Sequence, residues 1–183
     1  RSGFNDVFTH TRMIFAQVKA KKNLLDEFRE YVSSKIEPKV LIDNILEPYA
    51  EAYITAKTQQ YISTQNAEEV NRLLKWLNRI DNSDWLPPAI QFLSQQKDSP
   101  EYVLWFFTKL ERLAAYLHIC AKNVNQRIER YAGVISALQK THSDKAHVHS
   151  VELTNSEIEE MRDILNGNIY ELTARRRNYL ILR

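Results

Sequence analysis

Residues 99–138 constrain the fold more than any other part of the chain. Apolar side chains recur there at intervals of three and four residues, at Val103, Phe106, Phe107, Leu110, Leu113, Leu117 and Cys120. This spacing places them on one face of a long α-helix, and such a face must be buried in a core. Ser99 and Pro100 are typical of the cap and the first position of a helix. We therefore expect a long central helix that starts at Pro100.

The remaining apolar patterns are also helical. A hinge is expected at residues 123–125, followed by a helix that forms a central hairpin with the one before it. The spacing from Phe4 to Val32 predicts one long N-terminal helix that ends before Pro38, and Pro48 predicts a kink or a restart in the next helix. No segment has the alternation of a strand. The expected fold is all-α, an irregular bundle of about six to eight helices.

The chain is expected to form a single helical domain over residues 1–183, because its 44% hydrophobic content is enough for one core. Residues 140–150 are polar without periodicity, which predicts a flexible internal linker. They include His142, His147 and His149, which we interpret as solvated side chains and not as metal ligands. The chain begins without Met and ends in a rising apolar run, so we expect it to be a fragment of a longer protein.

Composition excludes several classes of function. The chain has only three glycines, too few for a glycine-rich phosphate-binding loop. A single cysteine, Cys120, allows neither an intrachain disulfide nor a paired zinc motif, which predicts a reducing, cytoplasmic location. No apolar run has the length of a membrane span, so no membrane partner is expected. The sequence predicts no metal site, no cofactor and no catalytic residue in this chain.

Arginines are the best candidates for binding residues. The net charge of +2 provides no global basic field for nucleic acid. Three consecutive guanidinium groups at 175–177, however, must spread around a helix, so at least one projects outward. A phosphate contact and an interdomain salt bridge both fit this pattern. The candidates for such contacts are Arg127, Arg130, Arg175, Arg176 and Arg177.

Arg112 and His118 form an alternative candidate site. They resemble the arginine and histidine of the HEPN ribonucleases, in which a histidine follows an arginine after a few residues. On a regular helix, however, six residues separate two side chains by about 120° around the axis. The pair would share a face only on a distorted helix, so we favour a solvent-exposed Arg112 and a His118 at the edge of the core.

Three segments resemble the middle region of the GmrSD-type restriction proteins. They are ERLAAYLHICAKNVNQRIERYAGVISAL at 111–138, the helix LTNSEIEEMRDILNG and the terminal run ARRRNYLILR. In that family a ParB-like nucleotidase domain precedes a helical region, and an HNH nuclease domain follows it in many members. The family's catalytic strings, DGQQR-like and EHIxPQ-like, are absent, so no catalytic residue is carried over.

This resemblance implies a non-catalytic helical scaffold within a modification-dependent restriction endonuclease. The flanking ParB-like and HNH domains of the same chain and DNA would be its partners. A nucleoside triphosphate and a divalent metal would serve the whole protein but not this part of it. Two alternatives remain open: a HEPN-like ribonuclease that uses Arg112 and His118, and a free-standing helical adaptor that binds another protein.

Overall fold

The computed structural model describes residues 2–140 and 148–183, and within them it contains ten α-helices and no strand. The all-α prediction is confirmed, with nine helices of eight residues or more where six to eight were expected. The helices are α1 Ser2–Ala16, α2 Leu24–Tyr31, α3 Pro38–Leu41, α4 Glu47–Thr58, α5 Ala67–Leu77, α6 Leu86–Gln96, α7 Pro100–Ile119, α8 Val124–Lys140, α9 Asn155–Asn166 and α10 Ala174–Leu182.

The predicted central helix is α7, and its apolar face lies in the core. Phe106 and Phe107 are 0% exposed, and the Phe106 ring stacks on that of Phe92 in α6 with centroids 3.8 Å apart. Helices α5, α6 and α9 pack around α7. Pro100 occupies the first turn as predicted, but the side chain of Ser99 makes no capping hydrogen bond. Burial of the apolar face, and not a cap, therefore defines this helix.

The expected hairpin of α7 and α8 does not form as a packed pair of helices. The chain turns between Ile119 and Val124, where Ala121 adopts a left-handed φ of 51°. Beyond the turn the two helices have different main partners, because α7 packs on α5 and α8 packs on α6. The apolar stripe of α8, with Tyr131 and Ile135 buried, thus covers α6 and not α7.

The prediction of a single long N-terminal helix is wrong, because α1 ends at Ala16 and α2 begins at Leu24. Gln17 adopts a left-handed φ of 54°. Glu27 then accepts backbone N–H groups from Lys21 at 2.5 Å and Lys22 at 2.8 Å, and pairs with Arg12 at 2.5 Å. These bonds to a buried carboxylate stabilise a folded-back connection that a continuous helix could not make.

The predicted restart at Pro48 is confirmed. A π-helical turn, Ile42–Leu46, separates α3 from α4, and Pro48 lies in the first turn of α4. Proline has no N–H to donate, so the regular α-helical hydrogen bond cannot form at Pro48. A π-helical turn precedes it instead.

The segment 140–150 is structured at both ends. Lys140 closes α8, and Val148 is 1% exposed and belongs to the main core. The rest of the predicted linker, residues 141–147, lies outside the described residues. No helix of the described ranges combines the length and the hydropathy that crossing a bilayer requires.

Candidate functional site

A cleft with cationic walls lies where the end of α7 meets the starts of α8 and α10. Its volume is about 430 Å³. We call it the basic cleft, and its charged and imidazole side chains are Asp81, His118, Lys122, Arg127, Arg175 and Arg176. Four of these six are cationic at neutral pH, so the cleft suits an anion.

The docking of α10 on α7 builds the basic cleft. The hydroxyl of Tyr179, a residue that is 3% exposed, donates to Oε1 of Glu111 at 2.8 Å. The other oxygen of Glu111 lies 2.6 Å from Nη2 of Arg183. The ring of Tyr179 also packs edge-on against His118, with centroids 5.3 Å apart. These contacts hold the first turn of α10 beside the end of α7.

Asp81 connects two of the predicted candidates. Its Oδ2 lies 2.9 Å from Nη1 of Arg175, and its Oδ1 lies 3.4 Å from Nδ1 of His118. The hydrogen bond from Arg175 is the main cause that holds the pKa of Asp81 below its usual value. Burial lowers the pKa of His118, although Asp81 opposes that shift. At pH 7 the cleft therefore contains an ionised Asp81 and a neutral imidazole.

Arg127 and Lys122 also have acidic partners. Nε of Arg127 lies 2.7 Å from Oδ2 of Asp84, and its Nη1 donates to the carbonyl oxygen of Lys122 at 2.7 Å. Nζ of Lys122 lies 2.6 and 2.8 Å from the two carboxylate oxygens of Glu160, and this bond raises the pKa of the ammonium. Both charges are thus balanced locally.

Arg176 differs from the other three cations of the basic cleft. Its Nε is buried, and no acceptor within residues 2–140 and 148–183 reaches it. A buried polar group without a hydrogen bond costs about 1–3 kcal/mol. An anion that supplied acceptors would therefore stabilise this wall of the cleft.

The structure does not bring Arg177 or Arg130 to the basic cleft. Nη1 of Arg177 donates to the carbonyl oxygen of Tyr170 at 3.3 Å. Arg130 is bound between α8 and α9, where its Nε donates to Oε1 of Glu157 at 2.9 Å. Of the five predicted arginines, Arg127, Arg175 and Arg176 share one cleft.

The alternative ribonuclease pair is also separated. His118 lines the basic cleft, whereas Arg112 is exposed and is not among the residues of its wall. Helix α7 is continuous over both residues, so the spacing of six leaves them on different faces, as expected.

Comparison with protein-family models, with curated proteins and with solved structures found no match to this chain. Its functional interpretation therefore rests on the residues and their geometry. In the described part of the chain, no group of three or more His, Cys, Asp or Glu side chains is placed to hold a metal ion. His149, one of the histidines in the predicted linker, instead lies 3.4 Å from Glu152.

Two acids that organise the basic cleft carry no local signal in the sequence. Asp81 and Asp84 lie in the segment 81–88, whose prolines and polar residues predict a loop and give no sign of a site. Asp81 pairs with Arg175, and Asp84 pairs with Arg127. No local pattern reveals this pairing, because the partners lie 94 and 43 residues away in sequence.

Proposed function

We propose that this helical domain is the non-catalytic scaffold of a modification-dependent restriction endonuclease, and that its basic cleft contacts a phosphate of DNA. In this proposal the domain links a ParB-like nucleotidase domain to an HNH nuclease domain. The nucleoside triphosphate and the divalent metal would belong to those flanking domains. The sequence resemblance supports the scaffold role, and the charge of the cleft supports the phosphate contact.

The observation that carries the phosphate contact is the surplus cation Arg176. Arg175, Arg127 and Lys122 each have a carboxylate partner, but Arg176 has none among the described residues. One surplus positive charge matches one phosphodiester, which carries one negative charge. The start of α10 adds to this field, because Thr173 lines the cleft and its side chain leaves the first N–H groups uncapped.

Exposed apolar side chains on α10 support the docking of a further domain next to the cleft. Tyr179 is buried against α7, but Ile181 is 67% exposed and Leu182 is 60% exposed. Exposed apolar side chains next to each other are a feature of surfaces that bind another protein or domain. A flanking domain docked there would place DNA beside Arg176.

The replacement of Arg176 by alanine is expected to weaken the binding of a short DNA duplex and to reduce its salt dependence. Each lost phosphate contact lowers the slope of log affinity against log salt by about 0.9. Fluorescence anisotropy with a labelled duplex, between about 50 and 200 mM KCl, measures this slope. Because the net charge is only +2, low salt is needed for measurable binding.

Arg177→Ala is the matched control, since it removes the same charge from the next residue of the same helix, outside the cleft. It should leave the slope unchanged. Equal losses in the two variants would mean that DNA responds to net charge alone, and an unchanged slope in Arg176→Ala would remove the cleft from the binding surface.

A further inference from the structure

A second cavity, of about 240 Å³, lies on the other side of the turn before α6. It is lined by α1, the segment before α2, the first turn of α2, residues 83–87 and α8. Its polar wall includes His10, Arg12 and Glu27, and its apolar wall includes Met13, Pro87 and Ile128. Drug-sized ligands occupy cavities of about 300–1,000 Å³, so this cavity fits a smaller molecule.

Arg12 is the least satisfied group of this wall. It is 4% exposed, and its Nε forms the ion pair with Oε2 of Glu27 at 2.5 Å. Its Nη1 donates to the carbonyl oxygen of Val18. Its Nη2 is buried, and the described residues offer it no acceptor. A buried guanidinium N–H without an acceptor is the kind of group that a ligand oxygen satisfies.

The remaining charges around the cavity favour an anion. Glu27 is held by the backbone N–H groups of Lys21 and Lys22 and by Arg12, which keep its pKa below the usual value. The other acid of the wall, Asp84, is paired with Arg127 outside the cavity. Both acids are therefore balanced by partners already in place.

Of the cations in the wall, Arg12 pairs with Glu27 and Lys22 pairs with Glu30, which leaves Lys19. Lys19 lies exposed at the cavity and forms no ion pair with any described residue. Burial lowers the pKa of His10 to about 4, so this imidazole is neutral at pH 7 and adds no charge. The cavity thus offers a guanidinium N–H and an ammonium to a bound molecule.

We infer that this cavity binds a small organic carboxylate. Its apolar body lies against Met13, Pro87 and Ile128, while its carboxylate accepts the hydrogen bond from Nη2 of Arg12 and faces Lys19. Apolar walls with a few convergent polar groups are the usual composition of small-molecule sites. The inference is independent of the DNA contact proposed for the basic cleft.

Benzoate is the probe, with benzamide and benzylamine as neutral and cationic molecules of the same shape. Titration of the chain at pH 7, followed by NMR chemical shifts, should show saturable binding of benzoate. Benzamide should bind at least about tenfold more weakly, because a hydrogen bond to a charged group contributes more than one to a neutral group. Benzylamine should not compete.

Val18→Trp tests the location without touching the buried ion pair. Val18 lines the cavity and is 45% exposed, so a larger side chain can fill the entrance while the core stays intact. Val40→Trp is the matched control, since Val40 is 44% exposed and lies on α3, away from the cavity.

We expect Val18→Trp to abolish benzoate binding and Val40→Trp to leave it unchanged, with both variants melting like the wild type. Absence of saturable benzoate binding to the wild type would overturn the inference, and water would then be the acceptor for Arg12. Equal binding of benzoate and benzamide would also overturn it, as would full binding to a folded Val18→Trp variant.

Discussion

Phe106→Ala is expected to lower the free energy of unfolding by about 3–5 kcal/mol, the range for removal of a buried aromatic side chain. Phe106 is 0% exposed at the interface of α6 and α7. Its ring lies parallel to that of Phe92 at 3.8 Å and perpendicular to that of Phe107 at 5.7 Å. The rigid packing of these rings leaves the cavity little freedom to collapse, which favours the upper part of the range.

Urea denaturation and thermal melting measure this loss. For a chain of this size, each kcal/mol corresponds to about 2–4 °C in Tm, so a decrease of at least about 6 °C is expected. Phe4→Ala is the control, because the same side chain is 70% exposed there and should cost less than about 1 kcal/mol. Equal losses from the two variants would contradict the stacked core described here.

The sequence predicted this part of the fold because one helix face is a local pattern. Intervals of three and four residues identified Phe106 and Phe107 as core residues without knowledge of their partners. The partners depend on contacts between distant segments, which periodicity does not encode. The expected hairpin failed for this reason, since α8 covers α6 and the main partner of α7 is α5.

Buried charges account for most of what the sequence did not reveal. Glu27 and Glu111 are only 3% and 2% exposed, whereas helical periodicity predicts that a glutamate lies on the solvent side of its helix. Glu27 accepts backbone N–H groups of the connection between α1 and α2. Glu111 accepts a hydrogen bond from the hydroxyl of Tyr179 in α10, a residue 68 positions later in the chain. The sequence marks the arginine run as a candidate, but only the docking of α10 on α7 decides that Arg175 and Arg176 reach the basic cleft and Arg177 does not.

Arg130→Ala is expected to destabilise the protein by about 3 kcal/mol, because it removes one partner of a mostly buried ion pair. The side chains of Arg130 and Glu157 are 20% and 15% exposed. Arg130 also donates to the carbonyl oxygens of Ser150 and Glu152, the latter at 2.7 Å, and so joins α8 to the segment before α9. Arg130→Lys keeps the charge but loses the planar fork, so its loss should be intermediate.

The loss in Arg130→Ala should depend on pH in a defined direction. Burial raises the pKa of Glu157, but the bonds from Arg130 and from the backbone N–H of Thr154 outweigh it and hold this pKa below the ordinary 4.5. The resulting stabilisation is present above pH 4.5 and is lost as the pH falls through the folded-state pKa. Without Arg130 burial dominates, so the pKa of Glu157 should rise.

The deficit of Arg130→Ala relative to wild type should therefore be largest near neutral pH and should shrink as the pH falls, because Glu157 takes up a proton first in the variant and, below the lowered folded-state pKa, in the wild type as well. Urea unfolding at about pH 7 and about pH 4 measures both deficits. Arg162→Ala, at an exposed position of α9, is the control and should change stability by less than about 0.5 kcal/mol at either pH. A deficit of the same size at both pH values would assign the role of Arg130 to its hydrogen bonds with Ser150 and Glu152, because those carbonyl oxygens do not titrate.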